Sequence, residues 1–260
     1  MLVPHAPPLL AAAALAAFAA GFVKGFAGFG FAVVFTPLLS LISDDPRHVV
    51  FAALVLGTLM SLGVIAELRH AITRDRALPV LLGTALGTPA GIALLGLVAR
   101  PALKFVIAGL AVGVTILRLA RVRVRLGGGA GPLAAGALLG GLLNGCTSMG
   151  GPVPAMVVAW QGRAVADSRA ILVMFNLLSY VLAIVVALAG GIARPHWLLS
   201  GLWLAPAAAL GTFAGIRAVR RIPPSVFGHV ITAVVGLAGL AGLAGLAGLA
   251  SALRLYLSIG

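Results

Sequence analysis

The apolar runs in this chain are too long and too numerous for a fold surrounded by water. Cutting the sequence at its charge, proline and glycine clusters leaves eight blocks, spanning 9–42, 49–66, 77–99, 102–117, 132–160, 170–192, 197–216 and 226–257. About 20 apolar residues carry a helix across the hydrocarbon core of a bilayer, so most blocks predict a transmembrane helix. Composition agrees: 9% of the 260 residues are charged, where a soluble domain carries roughly 25%. Mean hydropathy is +1.18. The fold class predicted is an all-α polytopic membrane protein, 1–260 forming a single membrane domain. Residues 1–21 look like a secretory signal, with Ala17-Phe18-Ala19 as a cleavage site. They lack a Lys or Arg before the apolar run, however, and that run continues past them, so they are read as a retained membrane segment.

Two blocks depart from the pattern. The first holds 34 residues, about 51 Å as one helix, and its middle reads Gly25-Phe26-Ala27-Gly28-Phe29-Gly30, with Pro37 beyond. These are poor helix residues. The fifth repeats the device with Gly145, Gly150, Gly151, Pro152 and Pro154. Each is expected to be two half-helices around an unwound turn, which membrane depth tolerates only where protein buries it or a wet cavity lines it. At Gly28, Gly30, Gly150 and Gly151 alanine is expected to be accepted and valine rejected.

The same features expose an internal duplication. Gly21-x-x-x-Gly25 followed by Gly30 matches Gly141-x-x-x-Gly145 followed by Gly150, a shift of 120 residues. Leu86-Gly87-Thr88-Pro89-Ala90-Gly91-Ile92 matches Leu210-Gly211-Thr212-Phe213-Ala214-Gly215-Ile216 at six of seven positions. The repeats run 9–119 and 132–250, joined by a basic loop. Interrupted segments at matching places in two halves point to the binding site of a secondary transporter.

Charge distribution chooses the topology. Lys24 aside, eight crossings split the Lys and Arg residues 9 to 8 between the two sides. If the first and fifth blocks double back as re-entrant hairpins, the split becomes 12 to 5, a positive-inside bias. The richer side holds Arg69, Arg74, Arg76, Arg118, Arg121, Arg123, Arg125, Arg163, Arg169, Arg217, Arg220 and Arg221. This predicts six crossings, two hairpins, both termini outside and repeats of inverted topology. The net charge of +13 therefore serves orientation and anionic lipid, and nucleic-acid binding is excluded. With one cysteine no disulfide or thiolate cage forms within a chain.

The duplicated glycine-rich starts, 21–37 and 141–154, are each followed by a charged loop, Asp44-Asp45-Pro46-Arg47-His48 and Arg163-Ala164-Val165-Ala166-Asp167-Ser168-Arg169, and by another apolar span. In these features, over essentially the whole chain, the sequence resembles the sulfite exporter TauE/SafE family, also called 4-toluene sulfonate uptake permeases. The resemblance implies a permease for sulfur oxyanions or organosulfonates in a bacterial cytoplasmic (inner) membrane. The family's glycine run is often denser. Here Phe29 and Phe31 stand in the first repeat and Asn144-Gly145-Cys146-Thr147-Ser148 precede the glycines of the second.

Lys24 is the sharpest single feature, lying deep in an apolar block with no acidic residue nearer than Asp44. A lysine at the centre of a membrane helix costs about 2.5–3.5 kcal/mol on insertion scales. It is read as an anion-binding charge beside the amides of the turn, against the alternative of a snorkelling side chain. Asn144 stands at the matching position. With Cys146, Thr147, Ser148, Gly150 and Gly151 it offers neutral donors to an oxyanion; the bland alternative is hydrogen-bonding glue between helices, and for Cys146 alone a small buried residue. Asn176, Ser179 and Tyr180 share a helical face that could line a cavity, as could Thr58, Ser61, Thr84 and Thr88. Arg47 and Arg169, each near an aspartate, are expected to be solvated loop charges. His70, His196 and His229 lack metal-ligand spacing. The Gly-Leu-Ala tract at 236–248 winds its glycines around a helix and makes no packing face.

The candidate site is thus Lys24, Gly28, Gly30, Asn144, Cys146, Thr147, Ser148, Gly150, Gly151 and Asn176. The function expected is a secondary transporter for a small anion, working by alternating access. No nucleotide signature appears, no cofactor is expected, and the coupling ion, H+ or Na+, stays open. Buried acid–base pairs are missing, which argues against an enzyme. The alternative is a membrane scaffold, which gains nothing from a buried charge.

Overall fold

The computed structural model describes residue 2 and residues 7–43, 45–68, 73–120 and 126–219. Among these the ordered elements are all helical: α1 (Pro7–Ala27), α2 (Phe31–Ile42), α3 (Pro46–Leu68), α4 (Arg74–Leu97), α5 (Arg100–Leu119), α6 (Ala130–Thr147), α7 (Pro152–Trp160), α8 (Val165–Ala189), the short α9 (Pro195–Leu199), a 3-10 turn and α10 (Ala205–Val219). Five stretches are long and apolar enough to cross a membrane: Pro7–Ala27, Pro46–Ile65, Arg74–Leu97, Ala166–Ala189 and Pro195–Ala218. The outer faces of α4 and α10 expose Leu78, Leu82, Leu86, Leu210 and Phe213. Lipid is the solvent that suits such faces, and the chain is an integral, multi-pass membrane protein. The eighth block, the Gly-Leu-Ala tract, Asp44, His70, His229 and the arginines at 69, 121, 123, 125, 220 and 221 lie outside the described residues.

Both long blocks break where the glycines are. The first breaks at 28–30, with Gly28 and Gly30 at φ +82° and +92°. The second breaks after Thr147, where Ser148 takes a left-handed φ of 61°. The halves are unequal, which corrects the expectation of two half-helices. α1 has 21 residues and α6 has 18, so each is about 27–31 Å long, while α2 and α7, with 12 and 9 residues, reach about 14–18 Å. The reason is that Gly21, Gly25, Gly141 and Gly145 are held helical by close packing, so the helix persists to the last turn before the break.

α7 folds back along α6. A Cβ on Gly136 would meet the Val157 side chain at 2.7 Å, and one on Gly140 would meet Pro154 at 2.8 Å. The two open ends are tied: the Leu126 N–H donates to the Trp160 carbonyl at 3.2 Å, Gln161 Nε2 donates to Gly127 O and Gly129 O at 3.0 Å, and Arg163 Nη2 donates to Gly128 O at 3.1 Å. These bonds bring the start of α6 and the end of α7 together.

The longest interfaces are crossed. α1 packs on α10, and α4 packs on α6. A Cβ on Gly21 or Gly25 would collide with the Ala208 or Thr212 carbonyl, and one on Gly211 or Gly215 with the Phe18 or Phe22 carbonyl. The second interface is built alike: Gly87 and Gly91 abut the Leu138 and Leu142 carbonyls, while Gly141 and Gly145 abut Thr88. Glycines four apart on facing helices bring backbones together, the small-residue packing that replaces the hydrophobic effect in lipid.

Polar contacts gather at two ends. At one, Asp45 pairs with Arg100 at 3.0 Å, Arg47 Nη2 donates to Val98 O at 2.9 Å and Lys104 Nζ donates to Ser43 O at 2.9 Å. At the other, Arg76 pairs with Asp167 at 2.6 Å, near the Gln161–Arg163 ties.

Candidate functional site

α8 is the post on which both breaks rest. Residues 169, 173, 176 and 180 are three or four apart and so share one face of this helix. A Cβ on Gly28 would sit 3.4 Å from Val173 and 3.5 Å from the Arg169 Cα. One turn on, a Cβ on Gly151 would sit 3.4 Å from Asn176 Oδ1 and 3.6 Å from the Phe29 ring, so the first break touches the second here. Thr36 of α2 adds a hydroxyl contact to Ser148 at 2.8 Å.

Arg169 corrects the sequence reading. It is 9% exposed, not a solvated loop charge, and its Nη2 donates to the Gly25 carbonyl at 3.1 Å. The last four carbonyls of a helix lack intrahelical donors, and Gly25 is among them, so the cation caps the negative end of α1. The signal was present in the repeated Asp-x-Arg of Asp45–Arg47 and Asp167–Arg169, but spacing alone does not say which arginine turns inward. Arg47 instead takes the Val98 carbonyl.

The cluster at the second break is saturated by its own fold. Asn144 Nδ2 donates to Ser179 Oγ at 2.8 Å, and its Oδ1 accepts the Gly150 N–H at 3.2 Å. Ser179 also meets Thr88 Oγ1 at 3.0 Å. Thr147 Oγ1 donates back to Leu143 O at 2.7 Å and accepts the Met149 N–H at 3.3 Å. Cys146 is buried, its backbone against Gly91. Thr58 and Ser61 bond to their own helix at Leu54 O and Gly57 O.

Lys24 stands apart. Its side chain is fully buried and, among the described residues, its Nζ has no hydrogen-bond partner. The group it faces is the Tyr180 ring, 5.7 Å from Nζ to the centroid, near the outer limit for a cation–π contact. That ring fills the space a Cβ on Gly57 would need, so Gly57 and Tyr180 together shape the wall beside Lys24. The sequence singled out Tyr180 only as one of several face residues and missed Gly57. Asn176 spends its donor on Leu172 O at 2.7 Å, leaving a buried Oδ1 without a partner. The tolerance expected of the glycines divides. Gly28 and Gly30 sit at positive φ, where alanine is strained. A Cβ on Gly150 collides with the Gly140 carbonyl, while Gly151 has room for one.

Residues 13–242 match the sequence profile of the sulfite exporter TauE/SafE family. No curated protein and no solved structure matches the chain.

Proposed function

Because this chain belongs to the sulfite exporter TauE/SafE family, a family of membrane transporters, we propose that it is a secondary transporter for a small sulfur oxyanion or organosulfonate. The observation that carries the reading is Lys24, a buried amine with no hydrogen-bond partner among the described residues. A buried charge of this kind is retained at a cost unless a ligand completes it. Its neighbours suit an anion. The first break leaves the amides of Phe31, Ala32 and Val33 at the start of α2 outside any intrahelical bond, and a helix start favours negative charge; at the start of α7, Pro152 and Pro154 have no N–H and Val153 and Ala155 donate to the Gly150 and Gly151 carbonyls. Asn176 presents an oxygen, so it orients a water or a proton on the substrate, while Lys24 and the amides hold the charge. Asn144, Thr147 and Ser148 hold the second break in shape and reach the substrate through Gly150 and Gly151.

Alternating access then takes the form of motion of the broken segments against α8. The two ends of polar contacts coincide with the two sides of the 12-to-5 charge split, which supports hairpins and repeats of inverted topology in a bacterial inner membrane. Single cysteines at Gly128 and Gln161, in a Cys146→Ser background, should label from one side, and one at Arg100 from the other. The function is tested by flux in reconstituted vesicles against sulfite, methanesulfonate, toluenesulfonate, sulfate and chloride. Transport of a sulfur anion at rates well above empty vesicles is expected. Failure of the whole panel would refute the reading.

A further inference from the structure

We propose that Lys24 carries a proton across the membrane together with the anion, so that this protein is a proton-coupled anion carrier rather than a passage driven by membrane potential. The inference rests on the reading of Lys24 as the anion-binding charge and adds the coupling ion to it.

Lys24 Nζ is fully buried and, among the described residues, without a hydrogen bond. α1 packs against α2, α3, the 3-10 turn and α10, and Tyr180 reaches it from α8. α2 and the 3-10 turn carry no titratable residue. α3 carries Arg47 and His48 in its first turn and Glu67 in its last, whose side chain lies outside the described residues. On α10 the Arg217 guanidinium stacks 3.4 Å above Phe213. On α8, Asp167 is paired with Arg76, and Arg169, bonded to Gly25 O, is itself positive. Of the other acids, Asp45 pairs with Arg100 and Asp75 is exposed. Among the described residues no carboxylate faces Lys24.

An ammonium in such a place has lost its hydration and meets no counter-charge among the described residues, which is costly. A bound anion supplies the counter-charge and stabilises the ammonium beside it. Proton and anion therefore load together. As the anion enters, the nitrogen lone pair takes a proton from a hydronium on the open side, forming an N–H bond and releasing water. The ammonium and anion cross as a neutral pair. When the anion leaves on the other side the ammonium loses its partner and returns the proton to water. No oxidant, nucleotide or metal enters the cycle. A sulfonate stays ionised and carries no proton itself, so with that substrate the lysine is the carrier.

The test uses the full chain in vesicles holding a pH-sensitive dye, with membrane potential clamped by potassium and valinomycin, and methanesulfonate or toluenesulfonate as substrate. Wild-type influx down the anion gradient should acidify the lumen one proton per anion. A pH gradient should accumulate the anion about tenfold per pH unit, with no response to an imposed potential. Lys24→Arg, permanently charged, should conduct or exchange anion without moving protons. Sulfonate flux that follows potential or a sodium gradient, with no lumen acidification, overturns the proton coupling and leaves the transporter intact. If none of the anions moves, the transporter reading falls, and the coupling with it.

Discussion

Two positions that the glycine motifs match at a shift of 120 residues are treated in opposite ways. Asn144, on the last turns of α6, is tied to Ser179 and Gly150, and Ser179 in turn to Thr88. Lys24, at the same place on α1, has no hydrogen bond from its Nζ among the described residues. The helices around it lack the matching partners: Thr212, the counterpart of Thr88, bonds back to Ala208 of its own helix at 2.9 Å, and the wall carries the Tyr180 ring in place of a hydroxyl. Yet the two helices are docked alike, each by a glycine pair on a glycine pair. The difference lies in the polar chemistry and not in the packing. One half is closed by its own side chains, and the other keeps a buried amine without a hydrogen bond among the described residues. A buried group already holding all its bonds resists change, whereas one held in reserve is free to bind.

The largest expected effect tests the shared packing. Gly25→Val and Gly145→Val each drive a branched side chain into the carbonyl of the facing helix. Overpacking costs about 1–3 kcal/mol even where side chains can yield, and backbone yields less. Both variants should lose monodisperse protein on gel filtration in detergent. If one behaves as wild type, the two crossings are not equivalent. The next effect separates the halves. Asn144→Ala leaves the Gly150 N–H without its acceptor, a cost of about 1–3 kcal/mol, and should lower the midpoint of thermal unfolding. Lys24→Met breaks no hydrogen bond among the described residues and removes a buried polar group that has none, so it should unfold at or above the wild-type midpoint. Equal midpoints for Asn144→Ala and wild type would remove the contrast. A smaller effect sharpens it: Thr36→Val deletes the link from α2 to Ser148 and should cost about 0.5–1.5 kcal/mol, with Thr36→Ser restoring most of it.

Much of this arrangement is legible in the residues. The apolar blocks read as helices because lipid leaves few other choices, and the breaks take in Gly28–Gly30 and Ser148–Gly151, where glycine forms helix poorly. The buried lysine needed no structure to be noticed. What stayed hidden is partnership. Gly21-x-x-x-Gly25 and Gly211-x-x-x-Gly215 each mark a smooth helix face, but nothing local says that the two faces meet, or that the motifs that reveal the duplication pack crosswise. Arg169 and Arg47 share one local pattern and bond to different segments, since the carbonyl each finds is set by tertiary packing. The orientation of Asn176, oxygen toward Gly151, follows from Leu172 taking its donor, a choice between two ends of one amide that sequence leaves open.

The central claim is that Lys24 binds the substrate's charge while Asn144 holds the frame. It is tested most directly by the dissociation constant for a transported sulfonate, measured on wild type, Lys24→Met and Lys24→Arg at matched amounts of folded protein. The account predicts affinity about tenfold or more weaker in Lys24→Met, about 1.4 kcal/mol, and partial recovery at best in Lys24→Arg, whose planar guanidinium does not match a point charge. Equal affinity in Lys24→Met and wild type would contradict it and leave the amides at the start of α2 as the binding groups.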